Sequence, residues 1–133
     1  MPKFGKRSLE NLAHVHPDLR KVLDLAITRI DFTVICGQRD KEAQERAFKI
    51  GTSKVHYPNS AHNPMPACAS DFIPYPFKGW KDRAGFVAIA ETIVAAGDEL
   101  GIPIRSGADW DRDGIYSSWD AGHVELHPWR NYA

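Results

Sequence analysis

The segment from Asp82 to Gly101 constrains the fold more than any other, because it is the longest stretch with one continuous apolar face. Asp82 is a typical N-terminal helix cap, and Gly101 is a typical residue just past a helix end. The apolar residues recur at helical spacing, at Phe86, Ile89, Ala90, Ile93, Val94 and Leu100. A helix of this length with one apolar face must pack that face against another layer of structure.

The rest of the chain predicts shorter helices and short strands. Apolar residues at helical spacing predict an amphipathic helix from Pro17 to Ile30. Asp40 can cap a second helix that ends near Ile50. Apolar or β-branched runs predict strands at 32–36, 67–73, 102–105 and 123–126. Because these helices and strands do not alternate regularly, the pattern favours an α+β fold.

Composition and charge bound the size and the partners of the protein. The chain has 133 residues and no low-complexity run or Gly/Ser-rich linker, so we expect one domain over residues 1–133. Its 17 basic and 17 acidic residues give a formal net charge of zero, which argues against a protein that coats nucleic acid. No stretch approaches the roughly 20 apolar residues of a membrane-spanning helix, and the N-terminus lacks the apolar core of a signal peptide. We therefore expect no nucleic-acid partner, no membrane insertion and synthesis in the cytoplasm.

The two cysteines, Cys36 and Cys68, lie among apolar or small residues. We expect both to be buried, reduced thiols, because a protein made in the cytoplasm keeps its cysteines reduced. The absence of a Cys-x-x-Cys motif argues against a cysteine-rich zinc site. A disulfide, or a role in binding a metal, is the alternative for these residues.

Two separate segments rich in histidine and aspartate indicate a catalytic metal. Catalytic zinc needs three protein ligands, an open position for water and a nearby carboxylate that takes a proton from that water. The first segment supplies His62 and, nine positions later, Asp71, and the second supplies Asp120 and His123. Side chains from a loop end and two strands can converge on one point. Each residue taken singly would pass for an ordinary loop or turn residue, so the prediction depends on the whole set.

His56 and His127 are rival metal ligands. His127 lies four positions after His123, and two histidines at that spacing share one face of a helix. The intervening Val-Glu-Leu and the following Pro128 favour a strand instead, in which residues four apart are about 13 Å apart. We therefore leave both histidines out of the predicted metal shell.

These segments resemble the zinc peptidase family that includes D-alanyl-D-alanine carboxypeptidases and phage L-alanyl-D-glutamate endopeptidases. The family is marked by Ser-x-His, Ala-x-Asp and Asp-x-x-His, which stand here as Ser60-Ala-His62, Ala69-Ser70-Asp71 and Asp120-Ala-Gly-His123. Residues 37–39, 44 and 51–54 resemble the family's approach to the histidine loop, so the similarity spans about residues 17–127. Many members place the aspartate closer to the histidine than the nine positions found here, and we interpret the extra residues as an enlarged loop.

The resemblance implies both a fold and a metal site. The fold would be of the hedgehog-like or DD-peptidase-like type, a single domain with a small antiparallel sheet and flanking helices. His62, Asp71 and His123 would bind zinc. Asp120 would be the general base that takes a proton from the attacking water.

The resemblance also suggests residues that contact the substrate. Arg39 would bind the peptide carbonyl or the developing oxyanion through paired hydrogen bonds, although it could instead pair with an acid on the neighbouring helix. Ser60 would hydrogen-bond the substrate or support a metal ligand. Trp110, Trp119 and Tyr75 flank the motifs, and they could line a groove for glycan or peptide or could belong to the core.

The implied function is that of a phage endolysin. The enzyme would hydrolyse the bond between L-alanine and D-glutamate in bacterial peptidoglycan, acting as a monomer on the cell wall after another protein permeabilises the inner membrane. A D-alanyl-D-alanine carboxypeptidase or dipeptidase with the same zinc centre is one alternative. A zinc-containing wall-binding module without activity is another, since a shared fold does not guarantee a shared activity.

The acidic segment from Asp109 to Asp120 suggests a second metal. Asp109, Asp111 and Asp113, followed by Gly114, match the opening of a calcium loop of the form D-x-D-x-D-G. The match is incomplete, because the twelfth position is Asp120 where a bidentate glutamate is usual. An ordinary acidic turn is the alternative. If calcium binds, it would order the segment that ends at the predicted base.

Overall fold

The computed structural model describes residues 2–133, so that Met1, the first residue of the predicted domain, lies outside the described part. The elements follow one another as α1 (Lys6–Leu12), α2 (Pro17–Ile27), β1 (Phe32–Cys36), α3 (Lys41–Lys49), β2 (Ala69–Pro74), α4 (Arg83–Leu100), β3 (Ile104–Ser106) and β4 (His123–Leu126), with a 3-10 turn over Trp129–Asn131 at the end. The predicted α+β fold is confirmed. Within residues 2–133, no helix combines the length and apolar character needed to cross a membrane.

The four strands form one antiparallel sheet in the order β1-β2-β4-β3. Asp71 of β2 lies directly opposite His123 of β4, and Arg105 of β3 lies directly opposite Glu125 of β4. Residues that face each other across neighbouring strands point to the same side of a sheet. The register therefore collects these four side chains on one face.

The apolar core lies on the other face of the sheet. Helix α4 packs against β2, β3 and β4, and α2 packs against α4. The ring centroids of Phe72 in β2 and Phe86 in α4 are 6.1 Å apart. Val124 and Leu126 are fully buried, and they alternate along β4 with His123. Because successive strand residues point to opposite faces, burial of this core orients His123 away from it.

The helix caps lie where the sequence predicts them. Asp40 Oδ1 accepts a hydrogen bond from Ala43 N at 2.8 Å, and Asp82 Oδ1 accepts one from Gly85 N at 3.1 Å. Gly101 has a φ of 70°, which is the left-handed conformation that ends a helix most easily at glycine.

Two predictions about helices were incomplete. Helix α2 ends at Ile27 and not at Ile30. Thr28 N donates a hydrogen bond to Leu25 O, three positions earlier, at 3.2 Å, which tightens the last turn. Helix α1 was not predicted. It has seven residues, of which only Ser8 and Leu12 are buried, so it is too short to show an apolar period.

Candidate metal centre and active site

A cavity of about 280 Å³ opens over the face of the sheet that carries His123. It is lined from three directions, by strands β2 and β4, by the long loop between α3 and β2, and by the acidic loop before β4. The predicted site residues that line it are Arg39, Ser60, His62, Asp71, Asp120 and His123. Folding therefore brings together all the residues that the motifs singled out for zinc chemistry.

His62 is held in one orientation by the backbone. The ring is buried, and its Nδ1 lies 2.7 Å from Gly37 O. A carbonyl oxygen only accepts hydrogen bonds, so Nδ1 carries the hydrogen and donates it. The Nε2 atom is thereby left to face Asp71 Oδ1 at 3.3 Å. Position 37 requires glycine, because a Cβ there would lie 2.1 Å from Asn11 O and clash with it.

His123 is held in the complementary way by a carboxylate. Its Nε2 lies 2.7 Å from Glu125 Oε1, and its Nδ1 lies 3.1 Å from Asp71 Oδ1. Glu125 is 3% exposed and pairs with Arg105 Nη2 at 2.8 Å. The sequence motifs assign no role to Glu125. The signal was present, since residues two apart on a strand share one face.

The charges at this centre are strongly coupled. Burial lowers the pKa of His62, but the Asp71 carboxylate outweighs burial and raises that pKa to about 10. Burial likewise opposes the charged form of His123, while its hydrogen bonds to Asp71 and Glu125 raise the pKa to about 9. Burial disfavours the charge on Asp71, yet both histidines hold its pKa far below the usual range. Both histidines therefore favour their protonated forms beside the Asp71 carboxylate.

Two of the donor separations match those of a zinc site, although His123 lies outside the group of Cys36, His62 and Asp71 whose ligand atoms are all within 4.8 Å of one another. Zinc binds imidazole nitrogen and carboxylate oxygen at about 2.0–2.1 Å, which places neighbouring ligand atoms of a tetrahedral site about 3.3 Å apart. The observed separations from Asp71 Oδ1 are 3.3 Å to His62 Nε2 and 3.1 Å to His123 Nδ1. Both histidines also have the outer hydrogen-bond acceptor that metal-binding histidines usually have.

Cys36 is a further donor at the edge of this group. Ligand atoms of Cys36, His62 and Asp71 all lie within 4.8 Å of one another. The Cys36 Sγ atom approaches the Nδ1 side of His62, at 3.9 Å, and that nitrogen is the one already bonded to Gly37 O. Contrary to the prediction, Cys36 is only half-buried. The predicted burial of Cys68 is confirmed, both thiols are free, and burial raises the pKa of Cys68 to about 11.

Arg39 lies in the cavity wall and is fixed by two partners. Its Nη2 lies 3.6 Å from Asp71 Oδ2, and its Nη1 donates to Gln44 Oε1 at 2.9 Å. The acid that it approaches is thus Asp71 and not one on α3. Gln44 is fully buried and also accepts from Asn63, while its Nε2 donates to Ser53 Oγ and Val55 O, each at 2.8 Å.

Asp120 is placed by a tight turn that leads into β4. Asp120 O accepts from His123 N at 3.1 Å, and Asp120 N donates to Gly107 O at 3.2 Å. A Cβ at Gly107 would lie 2.1 Å from Asp120 O, so this approach requires glycine. Burial raises the pKa of Asp120 above the usual range, although the charge of His123 opposes the shift.

Ser60 lies in the cavity wall, whereas the two rival histidines, His56 and His127, lie outside it. Ser60 is buried in the cavity wall, where its Oγ accepts from His62 N at 3.2 Å. His56 pairs with Glu45 Oε2 at 2.6 Å on the surface. Neither His56 nor His127 lines the cavity, so the structure keeps both away from the proposed ligands.

The acidic loop brings three carboxylates together. Ligand atoms of Asp109, Asp111 and Asp113 lie within 4.8 Å of one another. Asp109 also accepts from Asp113 N at 3.1 Å and from Gly114 N at 2.9 Å. These backbone bonds account for the shape of the turn without an ion. The calcium site stays a prediction.

Two of the three flanking aromatics line the cavity. Trp110 lies over His123, with 5.4 Å between ring centroids. Trp119 is 61% exposed, and Lys54 Nζ lies over its ring, 5.6 Å from the ring centroid. Tyr75 lies elsewhere on the surface, outside the lining of the cavity.

Comparison with known proteins identifies relatives that cover nearly the whole chain. Residues 1–127 match the model of a family described as phage L-alanyl-D-glutamate peptidase. The chain is 38% identical over 135 residues to the L-alanyl-D-glutamate peptidase of Escherichia phage T5, covering 93% of this chain and 97% of that protein. It is similar to the crystal structure of the Serratia marcescens L-Ala D-Glu endopeptidase ChiX, with a TM-score of 0.76, 30% identity and coverage of 97% of this chain and 92% of that one.

Proposed function

The chain belongs to the phage L-alanyl-D-glutamate peptidase family, and from that premise we propose that it is a zinc-dependent endopeptidase that cuts between L-alanine and D-glutamate in peptidoglycan. Family membership confirms the peptidase predicted from the motifs. One observation supports the metal in particular. Two buried histidines, each with one ring nitrogen fixed by an outer acceptor, turn the other nitrogen toward the same oxygen of Asp71.

We assign His62 Nε2, Asp71 and His123 Nδ1 as the zinc ligands. Zinc held there would supply Lewis acidity to the scissile carbonyl and to the attacking water. The Asp120 carboxylate, which lines the same cavity, takes a proton from that water. It then delivers the proton to the nitrogen of D-glutamate as the C–N bond breaks.

Arg39 and Ser60 serve the carbonyl and the substrate backbone. The Arg39 guanidinium donates hydrogen bonds to the carbonyl oxygen as negative charge develops on it. Gln44 holds Arg39 at 2.9 Å in the absence of substrate, so little reorganisation is needed during the reaction. The Ser60 hydroxyl accepts from His62 N and can donate its own hydrogen to the peptide.

Zinc content and cleavage products test this function. Purified protein should contain about one zinc per chain, and digested muropeptides should yield peptides that begin with D-glutamate, identified by mass spectrometry. Loss of D-alanine alone from muropeptides would identify a carboxypeptidase, cleavage of free D-alanyl-D-alanine alone would identify a dipeptidase, and cleavage of neither would identify a non-catalytic module. His123→Ala should lose both zinc and cleavage, and full zinc occupancy with activity in that variant would overturn the ligand assignment.

Cys36 needs its own control, because its thiol is close enough to compete for the ion. We assign it outside the ligand set, since it approaches His62 on the nitrogen that faces Gly37. Cys36→Ser should therefore keep one zinc per chain with unchanged affinity. A serine hydroxyl replaces a thiolate ligand poorly, so a large loss of zinc in this variant would move Cys36 into the shell.

We also propose where the enzyme works. Its substrate is the bacterial cell wall, so a phage peptidase of this kind acts as an endolysin that reaches peptidoglycan once another protein has opened the inner membrane. We propose that it does so as a monomer, because a single chain supplies all the site residues that line the cavity. Light scattering of the active protein measures that state directly.

A further inference from the structure

We propose that Lys54 binds the free α-carboxylate of the D-glutamate residue and so restricts the enzyme to stems in which this carboxylate is not amidated. The inference rests on the proposed function, because it concerns the group next to the bond that is cut. In the stem, the chain continues through the γ-carboxyl of D-glutamate, which leaves the α-carboxylate attached to the carbon that carries the leaving nitrogen. A negative charge must therefore sit beside the metal when this bond is positioned for cleavage.

The cavity needs a cation to accept that charge. Asp71 and Glu125 in its wall already have arginine partners, but among residues 2–133 no ion pair includes Asp120, whose carboxylate would repel that of the substrate. Like charges brought together in a partly desolvated site cost binding energy unless an opposite charge lies nearby. The choice of cation decides which part of the cavity holds the leaving residue.

Three lysine or arginine side chains line the cavity, and two of them already have carboxylate partners. Arg39 contacts Asp71 and donates to Gln44. Arg105 pairs with Glu125 at 2.8 Å, and its guanidinium lies 5.0 Å from the centroid of a tryptophan ring. For Lys54, residues 2–133 provide no ion pair. It is the cation that can bind a ligand carboxylate without giving up a carboxylate of the protein.

The backbone at Lys54 is held in place by hydrogen bonds to its neighbours, although the lysine side chain is exposed. Gln44 Nε2 donates to Ser53 Oγ and to Val55 O, each at 2.8 Å, so the residues on both sides of Lys54 are tied to a buried amide. The same Gln44 side chain holds Arg39. The lysine backbone is thus fixed relative to the residue assigned to the carbonyl oxygen.

The Lys54 ammonium lies near the acidic loop that carries the proposed base. It lies 5.6 Å from the ring centroid of Trp119, the residue immediately before the base Asp120. An exposed cation–π contact is weak compared with a charge-assisted hydrogen bond. A carboxylate bound near Asp120 can therefore take the ammonium from the indole, while Trp119 keeps the lysine over the cavity until substrate arrives.

Paired substrates test this inference directly. We would measure kcat/KM for a muramyl peptide with L-Ala-D-Glu and for the same peptide with the α-carboxylate converted to an amide. Wild-type enzyme should prefer the acid by about tenfold or more, as expected for a charge pair formed with substrate. In Lys54→Met, kcat/KM for the acid should fall by that same factor while kcat/KM for the amide changes little. The ratio of the two values should therefore be about one. Lys54→Arg should retain most of the preference.

Lys49→Met is the matched control, because Lys49 is an exposed lysine at the end of α3 that does not line the cavity. It should leave both substrates unaffected. Equal wild-type rates on the two substrates, or an equal loss on both in Lys54→Met, would overturn the assignment. If wild-type enzyme cuts the L-Ala-D-Glu bond in neither substrate, the proposed function itself fails and this inference with it.

Discussion

At the scale of single residues, the proposed metal site depends on which ring nitrogen each histidine presents. His62 presents Nε2 because Gly37 O accepts a hydrogen bond from its Nδ1. His123 presents Nδ1 because the Glu125 carboxylate accepts a hydrogen bond from its Nε2. Gly37 lies 25 positions before His62. The motifs therefore predict the ligand types, but the outer acceptors that fix the tautomers become visible only in the folded chain.

Glu125 offers the clearest test of these outer acceptors. Removal of its carboxylate by Glu125→Ala leaves His123 Nε2 without its acceptor, so we expect zinc affinity to fall about 10- to 100-fold. Competition with a chromophoric chelator measures this affinity. Glu99→Ala is the control, since Glu99 pairs with Arg29 on the surface and should bind zinc like the wild type. Equal affinity in both variants would show that Glu125 does not support the metal.

Asp120 and its neighbour His123 should respond differently to substitution. Asp120→Asn keeps the shape of the side chain but cannot accept the proton, so we expect turnover to fall roughly 10²- to 10⁴-fold while zinc and fold are retained. Arg39→Ala should also retain zinc and should cost roughly 2–4 kcal/mol of transition-state stabilisation. Zinc analysis beside kcat measures both effects. Loss of zinc from Asp120→Asn would make Asp120 a ligand and leave the base unassigned.

At the scale of helices and strands, the sequence predicts those features that depend on residues close together in the chain. The caps Asp40, Asp82 and Gly101 are recognisable because a cap residue acts within one helical turn. Strand pairing is not local, and Asp71 meets His123 across 52 positions of sequence. The strand order β1-β2-β4-β3 therefore does not follow from spacing, and only the resemblance to a known family implied that the ligands converge.

The acidic loop is either a calcium site or an ordinary acidic turn, and added calcium distinguishes the two. If Asp109, Asp111 and Asp113 bind calcium, the ion would order the loop that ends at Asp120, and lysis should rise with added calcium. Asp111→Ala should abolish that response and leave zinc in place, because Asp111 does not line the zinc cavity. Turbidity of a cell-wall suspension measures the effect. Identical lysis with and without calcium, in protein free of bound calcium, would make this segment an ordinary acidic turn.

At the scale of the whole molecule, the proposed zinc ion would add a connection between the central strands and the long loop that carries His62. Asp71 and His123 lie on the two central strands, whereas His62 lies in the long segment between Lys49 and Ala69 that contains no helix or strand. That segment is also held by a series of hydrogen bonds, among them Cys68 N to Ala61 O at 2.8 Å, and by burial of Ala61 and Cys68 in the core. Because this loop has no helix or strand of its own, we expect zinc to stabilise it more than it stabilises the packing of α4 on the sheet.

Removal of zinc should show this difference. A ligand that binds only the native state adds about 2.7 kcal/mol when its free concentration is one hundred times Kd, so chelation should lower Tm by several degrees. Hydrogen exchange should become faster in residues 52–66 while the amides of α4 keep their protection. Added zinc should restore both. His56→Ala should respond to the chelator like the wild type, because His56 pairs with Glu45 outside the cavity, whereas His62→Ala should not respond. Unchanged exchange in the loop on chelation would mean that its hydrogen bonds, and not the metal, hold His62 over the strands.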